Sequence, residues 1–296
     1  MLPDERPARL AVGVVGVGRV GSALAVALGR AGHRIVAVSG VSAASRRRAA
    51  DRLPNAAVLP ADEVVGAADL VLLTVPDDAL AAVVEGLAAV GAFKPGQLVA
   101  HTSGRHGLDV LSAAARQGAL PLALHPVMTF AGGSEDVERL VGTSFGVTAP
   151  EPLRAVGEAL VVEMGGEPVW VPEEQRVLYH AALAWVSNNL VTLVSTAADL
   201  LRQAGAERPD LLLAPLLGAA LDNALRRGDD ALTGPVARGD AGTVSAHLDV
   251  LRANAPEVVP AYVALARLTA DRALRDGRLD PRAAEALLDA LAGGTP

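Results

Sequence analysis

Six histidines carry almost all the proton chemistry that this sequence can do near neutral pH. Lys94 is the only lysine, the rest of the 26 Lys and Arg residues are arginines, and there is no cysteine. An arginine keeps its proton, whereas an imidazole titrates close to neutrality. Without thiolates, cysteine nucleophiles, disulfides and cysteine metal ligands are excluded, and we predict no metal site. The histidines are His33, His101, His106, His125, His180 and His247.

Two of these histidines come directly after aliphatic runs. His101 and His125 each end such a run, and Ser103 and Thr129 follow a few residues later. In a doubly wound sheet, ligands bind at the carboxyl ends of the strands. We therefore expect both imidazoles, with Ser103 and Thr129, to contact a bound substrate. The alternative for each histidine is a structural residue that holds a loop.

A third histidine lies on a long helical pattern. At 100° per residue, Ser187 lies about 20° and Asn188 about 80° from His180 around the helix. A polar stripe on an otherwise apolar helix is costly unless it faces a partner or a wet cleft. These three residues form a candidate catalytic group, and a hydrogen-bonded contact within the domain is the alternative.

Thr233–Asp240 is rich in turn residues and is predicted to be a loop. Arg238, within this segment, carries a permanently charged guanidinium group whose geometry suits a carboxylate substrate. A surface arginine without a ligand is equally compatible with the pattern. Asp240 can cap the helix that follows.

A G-x-G-x-x-G segment directly follows the first aliphatic run and opens a helical pattern. In that context, Gly16 permits a tight turn, Gly18 lets the main chain approach a pyrophosphate, and Gly21 lets helix and strand pack closely. Free N–H groups at the helix start then bind the anion. A glycine-rich turn without a nucleotide is the alternative. The predicted cofactor contacts are Gly16, Val17, Gly18, Arg19, Val20 and Gly21.

The end of the second predicted strand favours NADP(H) over NAD. No acidic residue stands there to hold a ribose 2′-OH, whereas Ser39, Ser42 and Arg46 can bind a 2′-phosphate. The alternative is that the arginines form a solvated helix face. Val75 and Pro76, which end another strand, are expected to line the cofactor.

Strand and helix patterns alternate as far as Val171, which predicts an α/β fold with a Rossmann-like, doubly wound parallel sheet. Beyond Pro172 only helical patterns occur, and they predict an all-α domain. We expect a disordered tail at 1–8, an NADP-binding domain at 9–172 and a helical substrate and dimerisation domain at 173–296. The predicted strands are Leu10–Val15, Ile35–Val38, Ala56–Leu59, Leu70–Val75, Leu98–His101, Leu120–Leu124, Phe145–Thr148 and Pro168–Val171.

Composition narrows the function classes. The 296 residues are 51% hydrophobic and 2% aromatic, and their net charge is −7. An acidic chain with few aromatic stacking platforms is a poor partner for nucleic acid. The apolar run Leu211–Leu221 is too short to cross a membrane and contains Pro215. We therefore expect no membrane partner and a cytoplasmic location.

Taken together, these motifs resemble a group of Rossmann-like proteins with an attached helical domain of unknown function. The resemblance covers nearly the whole chain and includes Tyr179-His180 and the segment around Arg238. The group is similar in architecture to pyrroline-5-carboxylate reductases and 6-phosphogluconate-type dehydrogenases. Some members are regarded as an alternative type of ketopantoate reductase in pantothenate synthesis. Others are named deazaflavin-dependent NADP oxidoreductases, so deazaflavin is not excluded as a cofactor.

The sequence departs from the β-hydroxyacid dehydrogenases, which resemble this layout but place a catalytic lysine on the helical domain. Trp185 stands at the corresponding position, and Lys94 lies in a turn at the wrong end of the sheet. Histidine is the remaining side chain that titrates near neutral pH. We therefore take His180 as the general acid and His125 as the second candidate, with Ser187 and Asn188 orienting the substrate oxygen.

The resemblance and the residues together imply an NADPH-dependent oxidoreductase that reduces a small 2-oxo acid, with ketopantoate as the leading candidate and Arg238 on its carboxylate. One alternative is an imine reductase of the pyrroline-5-carboxylate reductase kind. Another is a non-catalytic NADP(H)-binding regulator or scaffold. A helical domain with apolar stripes and few aromatics also suggests a homodimer.

Overall fold

The N-terminal half of the chain is built on an eight-stranded sheet. The computed structural model describes residues 9–293, so the predicted tail at 1–8 lies outside the described residues. The strand order is β3-β2-β1-β4-β5-β6-β7-β8. The strands are β1 Ala11–Val15, β2 Arg34–Ser39, β3 Ala57–Val58, β4 Leu70–Leu73, β5 Leu98–His101, β6 Leu120–Pro126, β7 Ser144–Thr148 and β8 Glu167–Trp170.

The first six strands are parallel, as expected for a doubly wound sheet. β7 is antiparallel to β6, and β8 is parallel to β7, so the sheet is mostly parallel and only the direction of its last two strands differs from the predicted parallel arrangement. The connection from β6 to β7 spans residues 127–143 and contains the five-residue helix Glu135–Arg139. It returns the chain beside β6 in the antiparallel direction.

Helices cover both faces of the sheet. Leu70 and Leu72 pack into one apolar cluster, and Val71 and Leu73 pack into another on the opposite face. A strand buried on both faces explains the continuous aliphatic runs of the sequence. The helices of this part are α1 Arg19–Arg30, α2 Ala43–Arg52, α3 Ala61–Gly66, α4 Asp77–Ala89, α5 Ser112–Ala115, α6 Glu135–Arg139 and α7 Arg154–Glu163.

The rest of the described chain is helical, as predicted. The helices are α8 Arg176–Gln203, α9 Pro209–Arg227, α10 Gly234–Arg238, α11 Ala241–Asn254, α12 Val259–Arg275 and α13 Pro281–Ala292. α11, α12 and α13 share an apolar core around Val244, Val263 and Leu287. The short helix α10 lies where a loop was predicted, because Pro235 at its first turn favours helical backbone angles.

The chain divides into two compact units, one that ends at Ser187 and one that begins at Asn188. The division therefore falls inside α8, beyond the predicted boundary at 172. Glu173–Gln203 is also long and apolar enough to cross a membrane, by length and composition alone, and no residue of its apolar window is buried among the described residues. Its apolar side chains are thus free to contact something other than this chain.

Candidate functional site

The loop after β1 is held in shape by its own backbone. Gly16 has a φ of +94°, a conformation that a residue with a Cβ adopts only with strain. The N–H groups of Gly16 and Val17 donate to the carbonyl of Ser39, at 3.1 and 2.8 Å. Ser39 therefore anchors this loop to the end of β2 through its main chain.

The other two glycines of the motif differ in what surrounds them. A Cβ on Gly21 would collide with Thr74 Oγ1 and lie 2.8 Å from the carbonyl oxygen of Gly16. A Cβ on Gly18 would meet nothing closer than 3.8 Å. Gly21 is thus required by the packing of the protein itself, whereas the space beside Gly18 is open to a ligand.

The start of α1 is equipped to bind an anion. Gly18 occupies the N-cap position and provides no side-chain cap. The first N–H groups of a helix have no partner within it, so they remain available to a phosphate. Arg19 is exposed and donates to the carbonyl of Phe130 at 3.3 Å, whereas Val17 is buried in the core. Val20 packs at the edge of the same core.

The residues predicted to select the 2′-phosphate lie around the start of α2. Ser42 caps this helix, since its Oγ accepts the N–H of Ser45 at 3.0 Å. The Arg46 guanidinium donates to the carbonyl of Val41 at 2.6 Å. Arg48, from the same helix, lies next to Gly132. Ser42, Arg46 and Arg48, near the end of β2, therefore offer a hydroxyl and two guanidinium groups, and none of the three is a carboxylate.

Val75 and Pro76 follow β4, as the predicted cofactor lining requires. A Cβ added to Gly16 would lie 2.9 Å from Val75 Cγ1. The Thr74 hydroxyl donates to the carbonyl of Gly16 at 2.6 Å. The end of β4 thus lies directly against the glycine loop.

A cluster of aromatic and imidazole side chains lies at the carboxyl ends of β5 and β6. His125 Nδ1 lies 2.8 Å from the Tyr179 hydroxyl oxygen, and the His125 and His180 ring centroids are 6.0 Å apart. A Cβ on Gly104 would lie 2.9 Å from His125 Nε2 and 2.5 Å from His180 Cδ2. Gly104 therefore packs directly against the two imidazoles, and a side chain at this position would collide with both of them. The structure brings together His125 and His180, the two candidate proton donors.

Arg176, at the start of α8, holds this cluster in place and was missed in the sequence. It is 1% exposed. Its guanidinium donates to the carbonyls of Ser103, His106 and Gly146 and to the Thr148 hydroxyl. A run of helix-forming residues gives no signal that one arginine turns inward.

His101 and Ser103 form part of the framework around the cluster. His101 is fully buried, its Nε2 lies 2.9 Å from the carbonyl oxygen of Gly107, and its Nδ1 accepts the N–H of Ser103. The Ser103 hydroxyl accepts the N–H of His106 at 3.2 Å. The predicted substrate contacts of both residues would require these bonds to break.

Burial and positive neighbours keep the buried imidazoles neutral. Burial, together with the charges of Arg176 and His180, lowers the pKa of His125 to about 4. Burial likewise lowers the pKa of His101 to about 4. Burial raises the pKa of the Tyr179 phenol above its ordinary value, so that it keeps its proton. The side chain of His180 is half-buried.

The remaining candidates lie on exposed surface. Thr129 is exposed in the loop after β6, and Ser187 and Asn188 are exposed on α8. Arg238 is exposed at the end of α10, within the second compact unit. Asp240 caps α11 as predicted, since its carboxylate accepts the N–H of Thr243 at 3.1 Å.

Two family models match the chain. Residues 2–126 match the Rossmann-like domain. Residues 143–269 match a domain of unknown function, DUF2520, so the match begins at the strand that turns back beside β6 and ends within α12. The chain combines a Rossmann-like domain with a DUF2520 domain. This pairing confirms the group to which the motifs pointed. No curated relative matches the chain in sequence.

Solved structures share this two-part architecture. A Bacteroides fragilis protein described as an NADP oxidoreductase is 23% identical with a TM-score of 0.73, over 89% of this chain and 98% of that one. A reductive aminase from Aspergillus terreus, solved with NADPH and ethyl levulinate, is 21% identical with a TM-score of 0.64, over 95% and 99%. A pyrroline-5-carboxylate reductase from Coxiella burnetii is 16% identical with a TM-score of 0.55, over 90% and 98%. At these identities the likeness establishes the fold of the Rossmann–DUF2520 chain.

Proposed function

We propose that the protein is an NADPH-dependent oxidoreductase that reduces a small 2-oxo acid, with ketopantoate as the first substrate to test. One observation carries the proposal: the His125 and His180 rings lie 6.0 Å apart at the same sheet edge as a glycine loop whose helix has no side-chain cap. Val15, Leu73, His101 and Ala123 lie side by side across four parallel strands. Neighbouring strands are about 4.8 Å apart, so the loop and the imidazoles lie roughly 14 Å apart along this edge.

The choice of NADP(H) is supported by the basic edge at the end of β2 and by the structural neighbours. One neighbour is described as an NADP oxidoreductase, and another was solved with NADPH. The main-chain groups at Gly18 and the start of α1 would hold the pyrophosphate, and Ser39, Ser42 and Arg46 would hold the 2′-phosphate. Val75 and Pro76 would line the rest of the cofactor. When bound, NADPH supplies the hydride.

In this proposal, the protein supplies the proton that the substrate oxygen takes up. His180 is half-buried, so a proton that it gives to a substrate oxygen can be replaced from solvent. His125 is neutral at pH 7 and is suited to donate a hydrogen bond rather than a proton. Ser187, in the same compact unit as His180, would orient the substrate oxygen, whereas the roles of Asn188 and Arg238 stay predictions from the sequence. These roles assign the proton and the hydrogen bond to two imidazoles whose rings lie 6.0 Å apart.

The direct test is to follow the oxidation of NADPH by the full-length protein with a panel of 2-oxo acids headed by ketopantoate. Turnover of a branched 2-oxo acid supports the proposal. Tight binding of NADPH without oxidation by any 2-oxo acid or imine would instead favour a regulator or scaffold.

Reduction of a cyclic or open imine is the second candidate, and the state of His125 favours it. An iminium nitrogen already carries its proton, so its reduction needs no strong acid at the site. A site with one neutral, buried imidazole fits such a substrate. Activity on cyclic imines that survives the loss of His180 would select this function over the first.

The glycine motif yields a prediction that separates cofactor binding from folding. We expect Gly18→Ala to weaken NADPH binding by at least 10-fold without lowering the melting temperature, because the added methyl enters only the ligand space. Gly21→Ala should instead lower the free energy of unfolding by about 1–3 kcal/mol, since the methyl overpacks the contact with Thr74. Isothermal calorimetry and thermal melts measure the two quantities. Equal loss of stability in both variants would contradict these assignments.

We also propose that the protein is a homodimer. Large apolar side chains are exposed on α8 and on α9, a pattern that marks an interaction surface. A second copy of the chain offers the same apolar surfaces in return. On α8 they are Val177, Leu178, Trp185, Val186, Leu190, Val191 and Leu193, and on α9 they are Leu211, Leu212, Leu216, Leu221 and Leu225.

The dimer predicts a specific effect of one charge. We expect Leu216→Asp to convert the dimer to monomers in analytical ultracentrifugation, because a carboxylate cannot be buried without a partner. Ala264→Asp, on the exposed side of α12, is the matched control and should leave the dimer intact. A wild-type protein that is monomeric at all concentrations would refute the proposal. Binding of the wild type to lipid vesicles would assign the surface to a membrane instead.

A further inference from the structure

Tyr179 and His125 form a hydrogen-bonded pair to which the sequence motifs assign no role. The phenol oxygen lies 2.8 Å from Nδ1 of the imidazole, and the two rings are nearly perpendicular, at 87°. Gly146 stands directly opposite His125 in the antiparallel pair of β6 and β7. A side chain at Gly146 would collide with the Tyr179 hydroxyl. The absence of a side chain there lets the phenol reach the imidazole.

The direction of this hydrogen bond follows from the chemistry of the two groups. Both are neutral near pH 7, because burial lowers the pKa of His125 to about 4 and raises that of Tyr179. A phenol O–H is a much stronger acid than the N–H of a neutral imidazole, and the unprotonated ring nitrogen is a good acceptor. The phenol therefore donates to Nδ1, and the single ring proton of His125 resides on Nε2.

The proton on Nε2 lies beside Gly104. A Cβ on Gly104 would lie 2.9 Å from this nitrogen and 2.5 Å from His180 Cδ2, so the two rings leave no room for a side chain there. Nε2 is not among the fully buried polar atoms that lack a partner, so it keeps contact with solvent, from which a substrate could approach. Nε2 has no hydrogen-bond partner among the described residues. It is thus a free donor, fixed in direction by the bond that the other ring nitrogen makes.

We propose that Tyr179 is a positioning residue that fixes the Nε2–H tautomer of His125, so that His125 offers a neutral hydrogen-bond donor to the substrate oxygen beside Gly104. The substrate part of this inference rests on the proposed function. It divides the work between the two imidazoles: His125 polarises the carbonyl, and His180 supplies the proton. The groups that act on His125 electrostatically are Arg176, His180 and Asp77, and Tyr179 contacts it directly.

The chain contains a matched control pair. His247 Nδ1 lies 3.0 Å from the Tyr262 hydroxyl, and their rings are likewise nearly perpendicular, at 86°. His247 is exposed on α11, in the second compact unit. Tyr262→Phe therefore removes the same kind of hydrogen bond at a place with no proposed role in the reaction.

The test is ¹⁵N NMR of the full-length protein labelled at histidine, with the His125 signals assigned by comparison with His125→Gln. We expect wild-type His125 to carry its proton on Nε2 at pH 7, and Tyr179→Phe to yield a mixture of tautomers. In the same variant, kcat should fall roughly 3- to 10-fold, the factor that one hydrogen bond is worth, with the affinity for NADPH unchanged. Tyr262→Phe should change neither His125 nor kcat.

The two readouts separate this inference from the proposed function. A proton on Nδ1 in the wild type, or a tautomer that Tyr179→Phe leaves unchanged, overturns the positioning role whatever the activity. If His125 behaves as expected but no 2-oxo acid is reduced, the pairing with Tyr179 stands and the proposed substrate fails. An unchanged kcat in a Tyr179→Phe variant whose tautomer has shifted would overturn the role of Nε2–H in the reaction.

Discussion

Replacing His180 with alanine should lower kcat for a 2-oxo acid by about 10²- to 10⁴-fold and leave the affinity for NADPH unchanged. That range is the usual contribution of a general acid. His180 lies next to His125 and Gly104, and the glycine loop that would bind the cofactor involves other residues. The effect should therefore appear in turnover and not in cofactor binding, which stopped-flow assays and calorimetry measure separately.

His125 cannot replace the missing acid in that variant. Its pKa is lowered to about 4 by burial first and by the charges of Arg176 and His180 second. Loss of His180 removes only one of the two charges, and burial and the charge of Arg176 remain. His125 therefore stays largely neutral at pH 7. Because protonated His125 is scarce at that pH, the variant should regain some activity as the pH falls toward 5.

His247→Ala is the matched control, since His247 is an exposed histidine in the second compact unit, and it should retain full activity. A His180→Ala enzyme with a near-normal kcat on 2-oxo acids would remove His180 from the mechanism. A variant that reduces cyclic imines normally and 2-oxo acids poorly would show that the acid is needed only where a carbonyl must be protonated.

The parts of the site that depend on backbone geometry were the most predictable from sequence. The spacing of Gly16, Gly18 and Gly21 after an aliphatic run predicted the turn at Gly16, the open space at Gly18 and the close helix contact at Gly21. Each of these features depends only on the local backbone and on the lack of a side chain. The positions of His101 and His125 at strand ends followed from the alternation of strands and helices. Local patterns thus located the edge of the sheet where the chemistry is proposed.

Long-range packing decided what the sequence could not predict. His101 and His125 have similar sequence contexts, yet the first is enclosed with both nitrogens bonded and the second keeps Nε2 free. The difference arises because Ser103 and Gly107 bond the two nitrogens of His101, whereas Tyr179, on a helix distant in sequence, bonds only Nδ1 of His125. The reversal of β7 was missed for a related reason, since a strand pattern carries no sign of its direction.

Arg176→Met should be the most destabilising single change in the candidate site, lowering the free energy of unfolding by about 3 kcal/mol or more. Its guanidinium is buried and joins the loop after β5 to β7 through acceptors on Ser103, His106 and Gly146. Hydrogen bonds from a charged donor contribute about 1.5–3 kcal/mol each, and buried acceptors left without a donor are costly. The desolvation cost that leaves with the charge offsets only part of this loss.

Chemical denaturation measures the effect, with Arg202→Met on the same helix as the matched control. Arg202 is exposed and pairs with Asp199 at 2.6 Å, and exposed ion pairs contribute little, so its loss should change stability by less than about 0.5 kcal/mol. Removal of the Arg176 charge has a second measurable effect, on the pKa of His125. Without the nearby cation, protonation of His125 becomes easier, so its pKa should rise from about 4 toward the ordinary value in an NMR titration. Equal stability of the two variants would mean that water satisfies the freed acceptors and that Arg176 is not what holds the loop against β7.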